Sequence, residues 1–498
     1  MICNKSFFST FFLLSFLSGS ITLFADDTAF TADLVMINGK IWTADSSNPY
    51  AEAVAIVADK IIAVGTTDEI ETYITEHTKI IDLKKKRVVP GFQDSHTHFI
   101  DEAIKTTPLK DPYTPKFKAY NRLAFEFGSF FTGLLHIGVK MLGSTPMDLL
   151  PPQQLPNEST SELRLKRGIH ELHKMGITTV FELGTDWEHY QFLLSLQDKN
   201  ELDIRCELYF ASRLIDKLIQ TGINRHTGDE WVRVLGVKFY SDGWLGPRTC
   251  ALRESYQDKT FIWQKCPGYT GILYMDQNKA NRDILKARLA GLKIATHTIG
   301  DRAVEVILNA YENALSLYPD SDHRYTLEHA SVLGPDLIER IKMLHVIPSI
   351  QFSFATTDMY FVENALGSER TKYTYPWQTL LDNDIICTGG SDFPVEVISP
   401  LWGIQRMVTR QDVNAFPEDG WHPEERISVE DALRMITINS AYSSFEEDTK
   451  GSIETGKFAD IVVLSRDILD IPPTEIAATE VVLTMVGGKI VYERADQV

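Results

Sequence analysis

Short apolar runs alternate with longer amphipathic stretches through the middle of the chain, and the two ends have a different texture. From Asp33 to Leu83 the runs are brief and rich in β-branched residues: Leu34-Val35-Met36-Ile37 before Asn38-Gly39, then Lys40-Ile41-Trp42-Thr43, Ala53-Val54-Ala55-Ile56-Val57, and Ile61-Ile62-Ala63-Val64 before Gly65. Asn-Gly between such runs is a strong hairpin signal. The same texture returns at Asp460-Ile461-Val462-Val463-Leu464, at Val481 to Val486 before Gly487-Gly488, and at Lys489-Ile490-Val491-Tyr492. Neither flank is large enough to bury a core alone. The pattern therefore predicts one small β-sandwich made from residues 28–88 and 449–498, with a central domain over 89–448 inserted between them.

Inside that central domain, apolar runs end at His96, Glu182, Phe210, Tyr240, His297, His329, Gln351 and Asp392. Helical spacing fills the gaps, among them Ser159 or Ser161 to Lys174 with Gly176 as the stop, Glu188 to Leu196, Arg302 to Ser316, Pro335 to Leu344 and Val429 to Ile436. Eight strands alternating with helices predict an α/β fold, a (β/α)8 TIM barrel. The excursion from Phe99 to Glu158 is too long for a plain connection and is expected to be a lid insertion at about 100–158. Its apolar portion, Leu123 to Leu142, carries Glu126, His136 and Lys140, which favours a packed lid helix over a membrane span.

Chemistry is expected where these strands end. In Pro90-Gly91-Phe92-Gln93-Asp94-Ser95-His96-Thr97-His98, residues i and i+2 of an extended strand share a face, so His96 and His98 present two imidazoles to one point. Alone, such a pair is weak evidence. Later strands, however, end at Lys238, His297, His329 and Asp392, and the C-terminal ends of parallel barrel strands converge on one face. Imidazoles and carboxylates suit a divalent ion such as zinc, with one position left open for water. Strand alternation is expected to put Val232, Val234, Gly236, Lys238 and Tyr240 on one face, where a buried, unpaired ammonium would be costly. Asp392 follows Gly389-Gly390-Ser391, whose small residues leave room for substrate, and is the expected metal ligand and proton carrier. Tyr240 projects toward the same mouth, either binding substrate or merely packing. Arg248, in a flexible loop, is either solvated or a binder of a substrate carbonyl or carboxylate, and Arg302 is a further candidate for substrate binding or a supporting residue paired with Asp301 or a neighbouring carboxylate. Asp301 is either a helix N-cap or catalytic. The remaining histidines fall on helices or loops and are expected at the surface or behind the site.

These motifs together resemble the amidohydrolase superfamily, in the YtcJ-like subgroup that includes N-substituted formamide deformylases. The resemblance rests on the His96-x-His98 strand, Val237-Lys238-Phe239-Tyr240-Ser241-Asp242-Gly243, His297-Thr298-Ile299-Gly300-Asp301-Arg302, Leu327-Glu328-His329-Ala330, Gly390-Ser391-Asp392-Phe393-Pro394 and the tail Gly451 to Asp460. It implies a metal-dependent hydrolase that cleaves a non-peptide carbon–nitrogen bond with a metal-activated hydroxide. It also implies one or two divalent ions, with His96, His98 and Asp392 on one side, His297 and His329 on the other, and Lys238 carboxylated between them. A salt-bridged Lys238 beside a single metal is the alternative. A deaminase on the same fold and an inactive barrel serving as a binding protein are the competing functions. The chain departs from the pattern at Phe99 to Glu158, which is shorter than the expected insert, so substrate choice is not read from it.

Charge and targeting narrow the partners. A net charge of −19 and a pI near 5.2 exclude a phosphate-backbone partner, which needs clustered Lys and Arg, and leave a small-molecule substrate. Homo-oligomers stay open. The first 25 residues, basic at Lys5 and apolar from Phe7 to Ala25 before Asp26-Asp27, read as a secretory signal. That predicts a secreted or periplasmic protein with no membrane span after cleavage, the rival being an uncleaved anchor. Cys206, Cys250, Cys266 and Cys387 are too few for a disulfide scaffold, although Cys250 and Cys266 could pair.

Overall fold

The computed structural model describes residues 31–105 and 158–495, so the expected leader and nearly all of the expected lid lie outside the described residues. The first strands, β1 (Leu34–Ile37), β2 (Lys40–Trp42), β3 (Tyr50–Ala51), β4 (Ala53–Val57), β5 (Lys60–Gly65), β6 (Lys79–Asp82) and β7 (Arg87–Pro90), belong to two sheets. One has the order β5-β4-β1-β6. The other mixes both ends of the chain, because β16 (Ile461–Leu464) pairs antiparallel with β7, and β17 (Val481–Val486) and β18 (Lys489–Glu493) extend it. Met36, Val54 and Ile56 of the first sheet pack against Val88, Ile461, Val463 and Met485 of the second, which is the expected sandwich core. On the outer face, Val35, Ala53 and Ala55 are covered by Ile70 of the helix Thr67–Glu71, whose start is fixed by a capping box between Thr66 and Glu69.

The chain leaves β7 at Pro90 and enters the barrel at once. Its strands are β8 (Phe92–Thr97), β9 (Ile177–Thr185), β10 (Arg205–Ala211), β11 (Val232–Tyr240), β12 (Lys293–Thr298), β13 (Thr326–His329), β14 (Ile347–Gln351) and β15 (Thr388–Gly390), all parallel and neighbours in chain order. The sheet closes between its ends: the Asp392 N–H donates to the His96 carbonyl at 2.7 Å and the His98 N–H to the Phe393 carbonyl at 2.8 Å. Closure depends on Gly390, where a Cβ would lie 2.6 Å from the His96 nitrogen. The eight-stranded parallel barrel is the one expected. Phe181, Leu183, Tyr209, Leu235 and Ala295 fill its interior N-terminal to the polar strand ends, each fully buried apolar side chain contributing roughly 1.5–3 kcal/mol.

Two local expectations are corrected. The β10–β11 register steps from Leu208 opposite Val234 to Tyr209 opposite Gly236, so Leu235 is an extra residue in a β-bulge. Val232 and Val234 therefore pack outward with Val237 and Phe239, and Lys238 shares the interior with Leu235 instead. The eighth strand is also shorter than Ile385 to Asp392, because the Ser391 N–H turns to the Asp94 carboxylate at 2.9 Å and Asp392 leaves the extended region at φ 56.

Barrel and sandwich are locked by buried charge. Arg205 on β10 makes a two-pronged ion pair with Asp460, at 2.7 and 3.0 Å, while its guanidinium lies 4.1 Å from the Phe458 ring centre. Removing one partner strands the other charge, so Arg205→Ala is expected to lose about 3–5 kcal/mol in urea unfolding. A loss under about 1 kcal/mol would show that the pair is replaceable by water.

Candidate active site

All six expected strand-end residues meet at the C-terminal mouth of the barrel. His96 is buried; its Nδ1 lies 2.6 Å from Glu328 Oε2, and its Nε2 is 3.4 Å from Lys238 Nζ and 3.5 Å from Asp392 Oδ1. His98, partly exposed, brings its Nε2 to 3.4 Å from the same Asp392 oxygen. The His329 ring centre is 5.0 Å from that of His96 and 4.5 Å from that of His297. Ligand atoms of His96, His329 and Asp392 lie within 4.8 Å of one another, a spacing one cation can bridge.

Backbone conformation aims two of these groups. Thr326 and Glu328 face inward on β13, their side chains hydrogen-bonded to each other, and Leu327 packs outward, so simple alternation would send His329 outward too. Instead His329 adopts φ 76 and Ala330 φ 45, left-handed conformations that turn the imidazole back into the mouth beside Glu328. Asp392 at φ 56 is turned in the same way. Each such non-glycine residue costs on the order of 1–3 kcal/mol, a strain typical of functional sites.

Hydrogen bonds select the tautomers. Burial, then the nearby Lys238 charge, lowers the His96 pKa, so a neutral ring donates Nδ1–H to Glu328 and turns the Nε2 lone pair to the centre. His329, held well below its ordinary pKa by burial and by His297, donates Nδ1–H to Gln351 Oε1 at 2.6 Å and likewise frees Nε2. His297, lowered to about 3 by burial and the Lys238 charge, donates Nε2–H to the Gly243 carbonyl at 3.0 Å and offers Nδ1. Burial raises the Glu328 carboxyl, but the hydrogen bond from His96 and the Lys238 charge outweigh it and hold the pKa at about 2. The Asp392 carboxylate is lowered in the same way against its burial, by His96 first and then His98. Burial takes Lys238 down to about 8, and Glu328 and Asp392 offset only part of that.

Several supporting residues escaped the sequence reading. Glu328 and Gln351 orient two imidazoles, and Asp94, pushed up to about 7 by burial, receives the backbone N–H of Ser391 and His96 at 2.9 and 3.3 Å. Asp242 accepts the backbone N–H groups of Ala251, Ile299 and Gly300 at 2.9, 3.1 and 2.9 Å, tying the loop after β11 to the one after β12. Glu182 at the end of β9 receives the Ile100 N–H at 3.1 Å, just past His98. A signal existed for three: Asp94, Asp242 and Glu328 lie inside the very motifs that carry the candidate ligands.

The expected substrate contacts fare unevenly. Tyr240 lies at the mouth, its ring 5.5 Å from that of His297 and 5.3 Å from Lys238 Nζ. Arg248 is buried rather than solvated, paired with Asp258 at 2.7 and 3.0 Å. Arg302 is half exposed and bonded to Glu305 at 2.7 Å, while the helix N-cap is Gly300, with Asp301 as its first residue. Three of the histidines assigned to helices and loops are buried: His189, and His173 and His323, which bond to the carbonyls of Asp203 and Leu344. Cys250 and Cys266 are both free, the first buried against the Tyr256 hydroxyl and the second exposed.

A parallel barrel with imidazoles, carboxylates and an amine gathered at the C-terminal ends of its strands is the architecture of a metal-dependent hydrolase. The amidohydrolase family pattern matches residues 121–492, and the chain belongs to that family. Over 93% of its length the chain is 29% identical to Protein LONG AFTER FAR-RED 3 of Arabidopsis thaliana, covering 92% of that protein. It is 24% identical to the N-substituted formamide deformylase of Arthrobacter pascens, with 93% and 98% of the two chains covered. An uncharacterized metal-dependent hydrolase from Pyrococcus furiosus shares the fold at a TM-score of 0.67 and 24% identity, over 88% of this chain and 100% of that one. Among the described residues, no helix is long and apolar enough to cross a membrane.

The Glu328–His96 contact generates a prediction. Glu328→Gln keeps an acceptor but removes the charge, and metal affinity, read by competition with a chromogenic chelator, is expected to fall about 10–100-fold. Unchanged affinity would mean that Glu328 only packs against the imidazole.

Proposed function

We propose that this protein hydrolyses a carbon–nitrogen bond of the amide or formamide type, outside a peptide, in a small molecule. The observation that carries the reading is the convergence of His96, His98, His297, His329, Asp392 and the buried Lys238 at the barrel mouth. The relation to a formamide deformylase supports the bond type.

The donor set fits a divalent cation: three neutral imidazoles with oriented lone pairs and a buried carboxylate whose closest neighbours are imidazoles. His96, His98 and Asp392 would hold one ion, His297 and His329 a second. Lys238, whose Nζ lies 3.4 Å from His96 Nε2, would join them as a carbamate, formed when its neutral amine adds carbon dioxide and releases a proton. When bound, the ions supply Lewis acidity that polarises a carbonyl and makes water a nucleophile near neutral pH.

The chain's own residues supply the rest. Asp392 lies beside His96 and His98, and its carboxylate would take the proton of the attacking water and hand it to the departing nitrogen. That delivery matters because an amide anion is a very poor leaving group. Tyr240, beside His297, borders the space where the carbonyl would enter. A binding protein would have no use for these buried polar groups, whose desolvation is costly.

The direct test screens N-formyl, N-acyl and cyclic amides with zinc-loaded protein. Turnover of at least one class is expected, reduced about 10²–10⁴-fold in Asp392→Asn. A variant that keeps its metals and loses less than about tenfold would remove the proton role. Elemental analysis should find two metals per chain, falling in Lys238→Ala; one metal in both proteins would exclude the carbamate bridge.

A further inference from the structure

Beside the metal-ligand cluster lies a cavity of about 920 Å3, within the size range of pockets that enclose a whole small molecule. It is built by the segments that follow β11, β14 and β15: the loop carrying Arg248, the short helix Phe354–Asp358 carrying Thr356, and the helix Pro400–Thr409 carrying Arg406. These segments also flank the cluster. Thr356 and Thr357 come just after Phe354, whose ring is stacked at 5.7 Å on His329. Glu396, which senses the charges of both Arg406 and Asp392, links the far side.

The charged side chains lining the cavity are not equivalent. Arg248 and Asp258 neutralise each other at 2.7 Å, and Glu363 is exposed at the rim. Asp412 accepts the Tyr360 hydroxyl and the backbone N–H groups of Asn414 and Phe416, at 2.7 and 3.0 Å for the last two. Arg406 differs. It is 6% exposed, its guanidinium carbon lies 5.2 Å from the Trp402 ring centre, and its one hydrogen bond among the described residues runs from Nη1 to Thr356 Oγ1 at 2.7 Å. Thr356 is itself held by donating to the Ser353 carbonyl at 2.9 Å, so the guanidinium is fixed in place. No carboxylate pairs with it among the described residues, since Glu396 and Asp412 act on it only through their field. A buried guanidinium has five N–H donors, and leaving most of them without a charged acceptor is costly unless a ligand supplies one.

We propose that this cavity is the specificity pocket of the hydrolase and that Arg406 binds a carboxylate carried by the substrate, which makes the substrate class a carboxylate-bearing N-acyl or N-formyl amine. The assignment rests on the hydrolase reading above for its chemistry, but the binding step stands apart from turnover. A carboxylate meets the planar guanidinium with two parallel hydrogen bonds, a match that an uncharged amide lacks.

Two readouts test this. Glutarate should raise the unfolding midpoint of the zinc-loaded protein in a dose-dependent way, glutaramide should not, and R406M should abolish the glutarate shift. In hydrolysis, the preference for N-formyl-β-alanine over its uncharged carboxamide, taken as a ratio of kcat/KM, should fall about tenfold or more in R406M, mainly through KM. A glutarate shift that survives in R406M, or an equal loss for both substrates, would overturn the assignment, the second outcome marking Arg406 as structural. Should R406M fail to fold, R406K keeps the charge without the fork, and glutarate affinity unchanged in that variant would overturn it as well. If the wild-type protein binds glutarate through Arg406 yet cleaves no amide, the pocket stands and the hydrolase reading falls.

Discussion

The closure of β15 onto β8 is the constraint on which the rest of the site depends. Two backbone hydrogen bonds, from Asp392 to His96 and from His98 to Phe393, join strands separated by nearly 300 residues of sequence. They set Asp392 within 3.5 Å of both imidazoles of the first strand. The approach is tight enough that Gly390 has no room for a side chain. Because the closing bonds come from the same residues that bear the functional groups, a barrel that failed to close would also separate the first and last candidate metal ligands.

Closure alone would not hold so many polar groups together. Removing imidazoles from water is expensive, and three of them are matched by a specific partner: Glu328 for His96, Gln351 for His329, the Gly243 carbonyl for His297. The apolar layer of Phe181, Leu183, Tyr209, Leu235 and Ala295 excludes water from the barrel interior beneath the cluster. The low-dielectric surroundings are what drive the imidazoles toward their neutral forms and pull Lys238 down toward neutral pH. Strain at His329 and Asp392 is sustained because the closed barrel and the outer helices overdetermine both backbones.

Much of this was legible in the chain. Period-two alternation and the residues that end each strand sufficed to locate the barrel and its six chemical positions, and the shared texture of the two ends foretold a sheet built from both. The misreadings have physical causes. Alternation assumes an uninterrupted ladder, and a bulge at Leu235 shifts the phase without any mark in the residue types. His329 lies on the inner face only because its backbone is left-handed, which a histidine does not announce as a glycine would. Arg248 looked like a loop residue that is either solvated or meets substrate, yet its partner Asp258 lies ten positions on in a loop whose folding no local pattern specifies.

The molecule thereby separates two kinds of determinant. Candidate metal ligands come from strand ends and from backbone that the barrel holds rigidly, so they are constrained by closure and readable as motifs. The cavity beside them is made by the segments after β11, β14 and β15, which close no ladder of the barrel sheet. Relatives that share the ligand motifs can therefore differ in what they bind. A relative's name accordingly bears more directly on the bond being cleaved than on the rest of the substrate. For this chain that remainder is best sought in the side chains lining the cavity, where the buried Arg406 guanidinium has, among the described residues, the Thr356 hydroxyl as its hydrogen-bond partner.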